Sequence, residues 1–322
     1  MTTFKFKSAP WVPFQDQQVL EKLRRLTAAD LVKHPNPDFK IRIGVNLGAV
    51  EMADMFMRIA RSDQRDQKFT FICGNPNPGT YLPLAAAINS NRINCRNVYP
   101  FTMDEWADEH GNLAPLTYQS GFSYSFFKYF YEQIDPELRM PIKNIGYPTT
   151  ANYRHYSEMI DECGGGGCDV IYSGPGWAGH IAFIDPCPEL VAGYIPGQPR
   201  IIKDLNDSYF RQVAQIVTLH PLTIMQNSLH GVFGQSGDIA NVPPKAFTIG
   251  PRDVLHARRR LEFHGLQTSG TFSSWQRMIS RMITHGPVTP SIPASVYQLM
   301  KCELFMEPGV AEPIQVLETV GY

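Results

Sequence analysis

From residue 41 onward, short apolar runs of strand type alternate with longer segments of helical period, and this alternation restricts the fold more than any other feature. IRIGVNL (41–47) precedes AVEMADMFMRIARSD, FTFICG (69–74) precedes a loop and GTYLPLAAAIN, and NVYPFTM (97–103) precedes an acidic loop and YSFFKYFYEQI. CDVIYSG (168–174) precedes a Gly-rich loop, and AFTIG, RLEFHG and KCELFM supply three further runs. Strands separated by helices build parallel sheets covered on both faces. The pattern therefore predicts an α/β fold with an open, mostly parallel sheet and helices on both faces. Ligands of such sheets sit beyond the carboxyl ends of the strands, which directs attention to the loops after residues 74, 103 and 174. Residues 1–40 read as a helical lead-in, with Val19, Leu20, Leu23, Leu26 and Leu31 at helical spacing before HPNPDF breaks the pattern. The expected organisation is an N-terminal extension over 1–40 and a single α/β domain over 41–322.

Composition narrows the function classes. The chain has 322 residues, of which 43 % are apolar and 18 % charged, a balance unlike that of disordered chains. A formal net charge of −1, from 29 basic and 30 acidic side chains, argues against affinity for nucleic acid or an anionic membrane. No apolar run reaches the ~18 residues of a membrane span. The first residues lack the apolar stretch of a secretory signal, so a cytoplasmic protein is expected. Cysteines at 73, 95, 163, 168, 187 and 302 are too sparse for a disulfide framework. Cys163 and Cys168 have no second pair with which to hold zinc, so buried thiols and no metal are expected.

Four loops could carry chemistry. In CGNPNPGTY (73–81), at a strand–helix junction, Gly79 and Thr80 suit anion binding through free N–H groups, whereas Pro76 and Pro78 donate none; an ordinary turn explains the loop equally well. In FTMDEWADEHGN (101–112), Asp104 and Glu105 stand just past a strand, where a carboxylate can move a proton on a substrate carbon. The competing reading is a solvated acidic turn, since Asp108 and Glu109 follow. In SGPGWAGHIAFIDP (173–186), His180 follows a glycine-punctuated turn and Asp185 lies five residues on. A carboxylate-held histidine has a fixed tautomer and works as acid or base near neutral pH. THGPVTPSIPAS (284–295) reads alone as a connector. The 164–167 glycine run lacks the ending of a phosphate-binding P-loop and reads as a turn, and the basic run 258–260 reads as a solvated cluster at a helix end.

In this order and spacing the loops resemble the glucosamine-6-phosphate deaminase/isomerase family. The carrying motifs are FTMDEW (101–106), GHIAFIDP (179–186), AFTIGPRDVL (246–255) and HGPVTPSIPAS (285–295), with SYSFFKYFYEQID (123–135) similar to the helix after the acidic loop. Sugar-phosphate lactonases of the 6-phosphogluconolactonase type share the fold and a Gly-His turn. The resemblance implies a Rossmann-like domain of carbohydrate metabolism that needs no cofactor or metal, takes a small sugar or sugar phosphate and forms a homo-oligomer. It implies that Asp104 moves a proton between C2 and C1 of the opened sugar, that His180 opens the ring, that Asp185 orients His180, and that ammonia leaves. Substrate contacts are expected from Asn77, Gly79, Thr80, Glu105, Gly176, Trp177 and Gly179.

The departures from the family bear on function. Its Asp-Gly-His turn is Ala178-Gly179-His180 here, and its phosphate loop Pro-Thr-Gly-Gly-Thr-Pro is Pro76-Asn77-Pro78-Gly79-Thr80-Tyr81. A substrate-binding arginine falls on Leu229, and a phosphate-binding lysine falls on Gln276. Losing cations and an N–H donor should weaken phosphate binding by several kcal/mol, at about 1.5–3 kcal/mol per charged hydrogen bond. Arg277 and the 258–260 run are the replacements the sequence offers. The expected activity is an amino-sugar phosphate isomerase/deaminase with altered substrate. The alternatives are a non-catalytic sugar-binding or sensing protein and a lactonase-type hydrolase.

Overall fold

The computed structural model describes residues 6–44, 46–186, 209–265 and 276–315. Six strands form one sheet: β1 (Phe39–Ile43), β2 (Phe69–Cys73), β3 (Val98–Thr102), β5 (Val170–Ser173), β8 (Arg259–His264) and β9 (Cys302–Met306). Their order is β1-β9-β8-β5-β2-β3, and every adjacent pair is parallel. A second, antiparallel sheet has the order β4-β7-β6, from β4 (Asp104–Ala107), β7 (Lys245–Thr248) and β6 (Gln215–Thr218). AFTIG thus belongs to this small sheet and not to the parallel one.

Alternation along the central strands explains why both faces are covered. Ile72 and Ile171 point into one core, with Leu20, Leu23 and Leu31 from the lead-in, Ile160 from α6 (Tyr156–Gly164) and Ile283 from α9 (Gln276–His285). Phe71, Cys73, Val170 and Tyr172 point into the other, with Met55 and Ile59 from α3 (Leu47–Arg65), Leu84 and Ile88 from α4 (Pro78–Ser90) and Phe126 from α5 (Phe122–Tyr129). A third cluster, around Trp106, Phe122, Phe183 and Phe233, lies beside the small sheet.

The lead-in is two helices. α1 (Gln17–Arg24) is capped by Asp16, and a Thr27–Asp30 capping box starts α2 (Ala28–Leu31) anew. The boundary expected at residue 40 falls inside β1, and the lead-in leucines share a core with Phe39. Arg281, buried in α9, reinforces this join by donating to the carbonyls of Leu26, Val310, Ala311 and Glu312. The 164–167 glycines form the turn into β5. Gly165 ends α6 at φ +66°, and a Cβ on Gly167 would strike the His256 carbonyl. Among the cysteines, Cys73, Cys95, Cys168 and Cys302 are buried free thiols, Cys163 is half-buried, and Cys187 lies outside the described residues. No helix among the described residues is long and apolar enough to cross a membrane.

The parallel strands run outward from a switch point. β2 leads to β3 on one side, while β5 leads to β8 and β9 on the other. The crevice for a ligand opens outside the carboxyl ends of β2 and β5. If the lead-in belongs to the domain core, Leu23→Ala should lower the stability of the whole by about 2–5 kcal/mol within one cooperative transition. Chemical denaturation followed by circular dichroism checks this, and a separate early transition would show an independent lead-in.

Candidate active site

A cavity of about 560 Å³ opens at that switch point, lined by Gly74 and Asn75 after β2, Ser173 and Gly174 after β5, and Asp104 after β3. Three side chains named from the sequence lie here, and local backbone geometry explains their approach. After β5 the chain turns through Gly174–Gly179 and makes a tight antiparallel return in which the Ile181 and Ile184 backbones exchange hydrogen bonds of 3.3 and 3.0 Å. Ala182, at φ +51°, occupies the reversal. This return is what brings Asp185 back to His180 across five residues.

His180 Nδ1 lies 3.2 Å from Asp185 Oδ1. A carboxylate only accepts, so Nδ1 carries the proton and Nε2 is left for the cavity. Asp185 is itself held: the Thr223 hydroxyl donates to Oδ1 at 2.7 Å and the His220 backbone N–H donates to Oδ2 at 2.8 Å. Both donors come from the start of α7 (Pro221–Asn227). Burial holds the neighbouring His220 imidazole below its ordinary pKa. Gly176 is obligatory because a Cβ there would strike the Gln226 side chain and come within 2.9 Å of His180 Nε2. Gly179, at φ +69°, turns the chain immediately before His180.

Asp104 begins β4 opposite Thr248 of β7. Burial pushes its carboxyl up to about 7, against the lowering effects of a Thr248 hydrogen bond and the nearby His180 charge. Oδ1 has no hydrogen-bond partner, although Asp104 is 94 % buried by its 6 % exposure. Alternation along β4 separates the paired acids. Asp104 and Trp106 line the cavity, whereas Glu105 points away and accepts the backbone N–H groups of Trp106, Phe122 and Ser123 at 2.9–3.2 Å. Glu105 is therefore a cap for α5, which corrects its assignment as a substrate contact.

The other expected contacts divide in the same way. Asn77 lines the cavity and caps α4 by accepting the Thr80 N–H at 3.0 Å. Gly79 and Thr80 stand outside the lining; Thr80 is buried, with its hydroxyl toward Gly48 of α3. Gly176, Trp177 and Gly179 shape the turn from behind, the Trp177 N–H donating to Gln226 Oε1 at 2.6 Å. Leu229 does line the cavity, and Gln276 donates to the Pro175 carbonyl at 2.8 Å. Sequence reasoning missed Glu51 on α3, Gln226, and the Thr223 and His220 donors. Glu51, half-buried in the cavity wall, is pushed up to about 7 by burial. Nothing local in the sequence marks Thr223, but helical spacing alone could have placed Glu51 four residues before Met55 on the side of α3 that packs on the sheet.

No family model matches the chain. Curated relatives include glucosamine-6-phosphate deaminase of Lachnoclostridium phytofermentans, 28 % identical over 228 residues that cover 69 % of this chain and 78 % of the relative. The enzyme of that name from Clostridium novyi is 25 % identical, covering 69 % and 76 %. Among solved structures, a monomeric glucosamine-6-phosphate deaminase superposes with a TM-score of 0.62 at 18 % identity, covering 85 % of this chain and 98 % of the other. A 6-phosphogluconolactonase from Leishmania guyanensis gives 0.56 at 12 % identity, covering 86 % and 98 %. The chain is thus similar in sequence to these deaminases and shares its fold with the deaminase and lactonase structures.

Ala178, 2 % exposed, precedes Gly179-His180 and brings no carboxylate to the imidazole, while Thr223 and the His220 N–H satisfy Asp185. The raised Asp104 carboxyl has a thermodynamic consequence with a definite sign. Between its ordinary value of 3.8 and about 7, the folded chain holds a proton that the unfolded chain releases, so stability is lost as pH rises through this window. Asp104→Asn should therefore stabilise the protein by an amount that grows from near zero at pH 4 to about 4 kcal/mol at pH 8. Urea denaturation of both proteins at the two pH values checks it; equal gains at both would contradict the shift.

Proposed function

We propose that this cavity carries out an isomerisation and deamination of an amino sugar, with Asp104, His180 and Asp185 as its working groups. The carrying observation is that a buried carboxyl poised at about 7 and a carboxylate-oriented imidazole face one sugar-sized cavity. The names of the curated relatives support the same reading.

The geometry supports the roles that the resemblance implies. With Nδ1–H committed to Asp185, His180 Nε2 takes the proton of the anomeric hydroxyl and delivers it to the ring oxygen as the ring C–O bond breaks. The resulting aldehyde is open-chain, with an acidified C2–H beside the carbonyl. Ionised Asp104 takes that proton while a proton of the ammonium group passes to the aldehyde oxygen, giving an enolamine, and Asp104 then returns its proton to C1, leaving an iminium at C2. Water adds at C2 and ammonia leaves, so amino sugar and water become ketose and ammonia. A carboxyl near 7 suits both halves of the transfer, because it is present as base and as acid at neutral pH. Trp106, Phe122 and Phe183 wall the cavity beside Asp104 and keep its surroundings poor in water, which maintains the shift.

Ammonia release from a panel of hexosamines and their 6-phosphates tests the proposal. Turnover should fall at least 1000-fold in Asp104→Asn without loss of folding, and the native protein's kcat/KM should fall below about pH 7 as Asp104 takes up a proton. A silent panel would contradict it. Ala178 favours a second reading, a sugar binder without turnover. That reading expects thermal stabilisation by the sugar without product, and ammonia release acquired only by Ala178→Asp would support it.

A further inference from the structure

We propose that the substrate of this site is an amino sugar that carries no phosphate ester and enters as its ammonium cation, an inference that rests on the function proposed above. Among the described residues, those lining the cavity include no lysine or arginine, but they do include two carboxyls, Glu51 and Asp104. Among the described residues, a phosphate dianion placed against this wall meets no lysine or arginine side chain, and near α3 it faces Glu51. An ammonium group brought beside either carboxyl favours its ionised form, and ion-assisted hydrogen bonds to carboxylates are stronger than neutral ones.

The start of α4, where a strand–helix junction would ordinarily receive a phosphate, is built against one. Pro76 and Pro78 have no N–H, and the Thr80 N–H is already taken by the Asn77 side chain. The cations that the sequence offered as replacements are committed elsewhere. Arg277 donates to the Gly309 carbonyl and the Glu312 carboxylate. Arg258 binds Asp169 and the carbonyls of the glycine turn, Arg259 bridges Asp54 and Glu303, and Arg260 donates to the Val254, Leu255 and Lys301 carbonyls. The wall also holds neutral, hydroxyl-reading groups, among them Asn75, Ser125, Tyr129, Ser173, Gln226 and Asn227. Such groups suit sugar hydroxyls, to which amides and hydroxyls both donate and accept.

The test uses the purified full chain and compares kcat/KM for ammonia release from glucosamine, galactosamine and mannosamine with that from their 6-phosphates. The proposal expects at least 100-fold preference for the unphosphorylated sugar. It further expects Glu51→Gln to reduce that preference at least tenfold, chiefly through KM. A preference for the phosphate ester in the wild-type chain overturns the proposal while leaving the proposed reaction standing. If neither set releases ammonia, the reaction is wrong, and calorimetric binding of the same pairs decides the charge class alone. Tighter binding of the free hexosamine sustains it, whereas tighter binding of the phosphate, or binding of neither, overturns it.

Discussion

Two aspartates, Asp104 in the cavity wall and Asp185 behind His180, are treated in opposite ways, and the difference between them organises the site. Asp185 is satisfied on every side by His180, the Thr223 hydroxyl and the His220 backbone N–H, so it stays where it is and fixes the imidazole. Asp104 is buried with one oxygen lacking a partner, and burial pushes its proton affinity toward neutrality. A satisfied carboxylate is a support and an unsatisfied one is a reagent. The parallel sheet makes the contrast possible, because its switch point brings the ends of β2, β3 and β5 to one crevice while the cores on both faces hold them rigid.

Much of this arrangement was legible in the residues. Runs such as FTFICG and CDVIYSG became β2 and β5 because apolar side chains on both faces of a strand have no stable place except between two helical layers. The link between Asp104 and His180 came from their positions after strand ends. The second sheet was harder to read. Its strands are four residues long, and β4, written DEWA, passes for an acidic turn until β7 pairs with it. Glu105 was misassigned for the same reason: once residues 104–107 are a strand, neighbouring side chains must face opposite ways. The basic run 258–260 was read as a helix end, but Arg259 and Arg260 open β8, and alternation sends them to separate partners. The donors to Asp185 come from a segment nearly forty residues away in sequence, at His220 and Thr223, and no local pattern announces such a contact.

The residues around the cavity share one direction. Ala178 brings no carboxylate beside His180, whereas Glu51 stands in the wall near α4, and Pro76, Pro78 and Leu229 offer no charge. These residues do not disturb the proton-handling groups. Under the proposed function they set which end groups of a sugar the cavity receives.

The central claim is that Asp104 holds its proton to neutral pH in the same cavity that His180 faces. The most direct measurement is the carboxyl 13C chemical shift of Asp104 from pH 3 to 9, assigned by its absence in Asp104→Asn and repeated in His180→Gln. The midpoint is expected near 7 in the native protein and higher once the histidine's charge is removed. A midpoint near 4, or one indifferent to His180, would contradict the account.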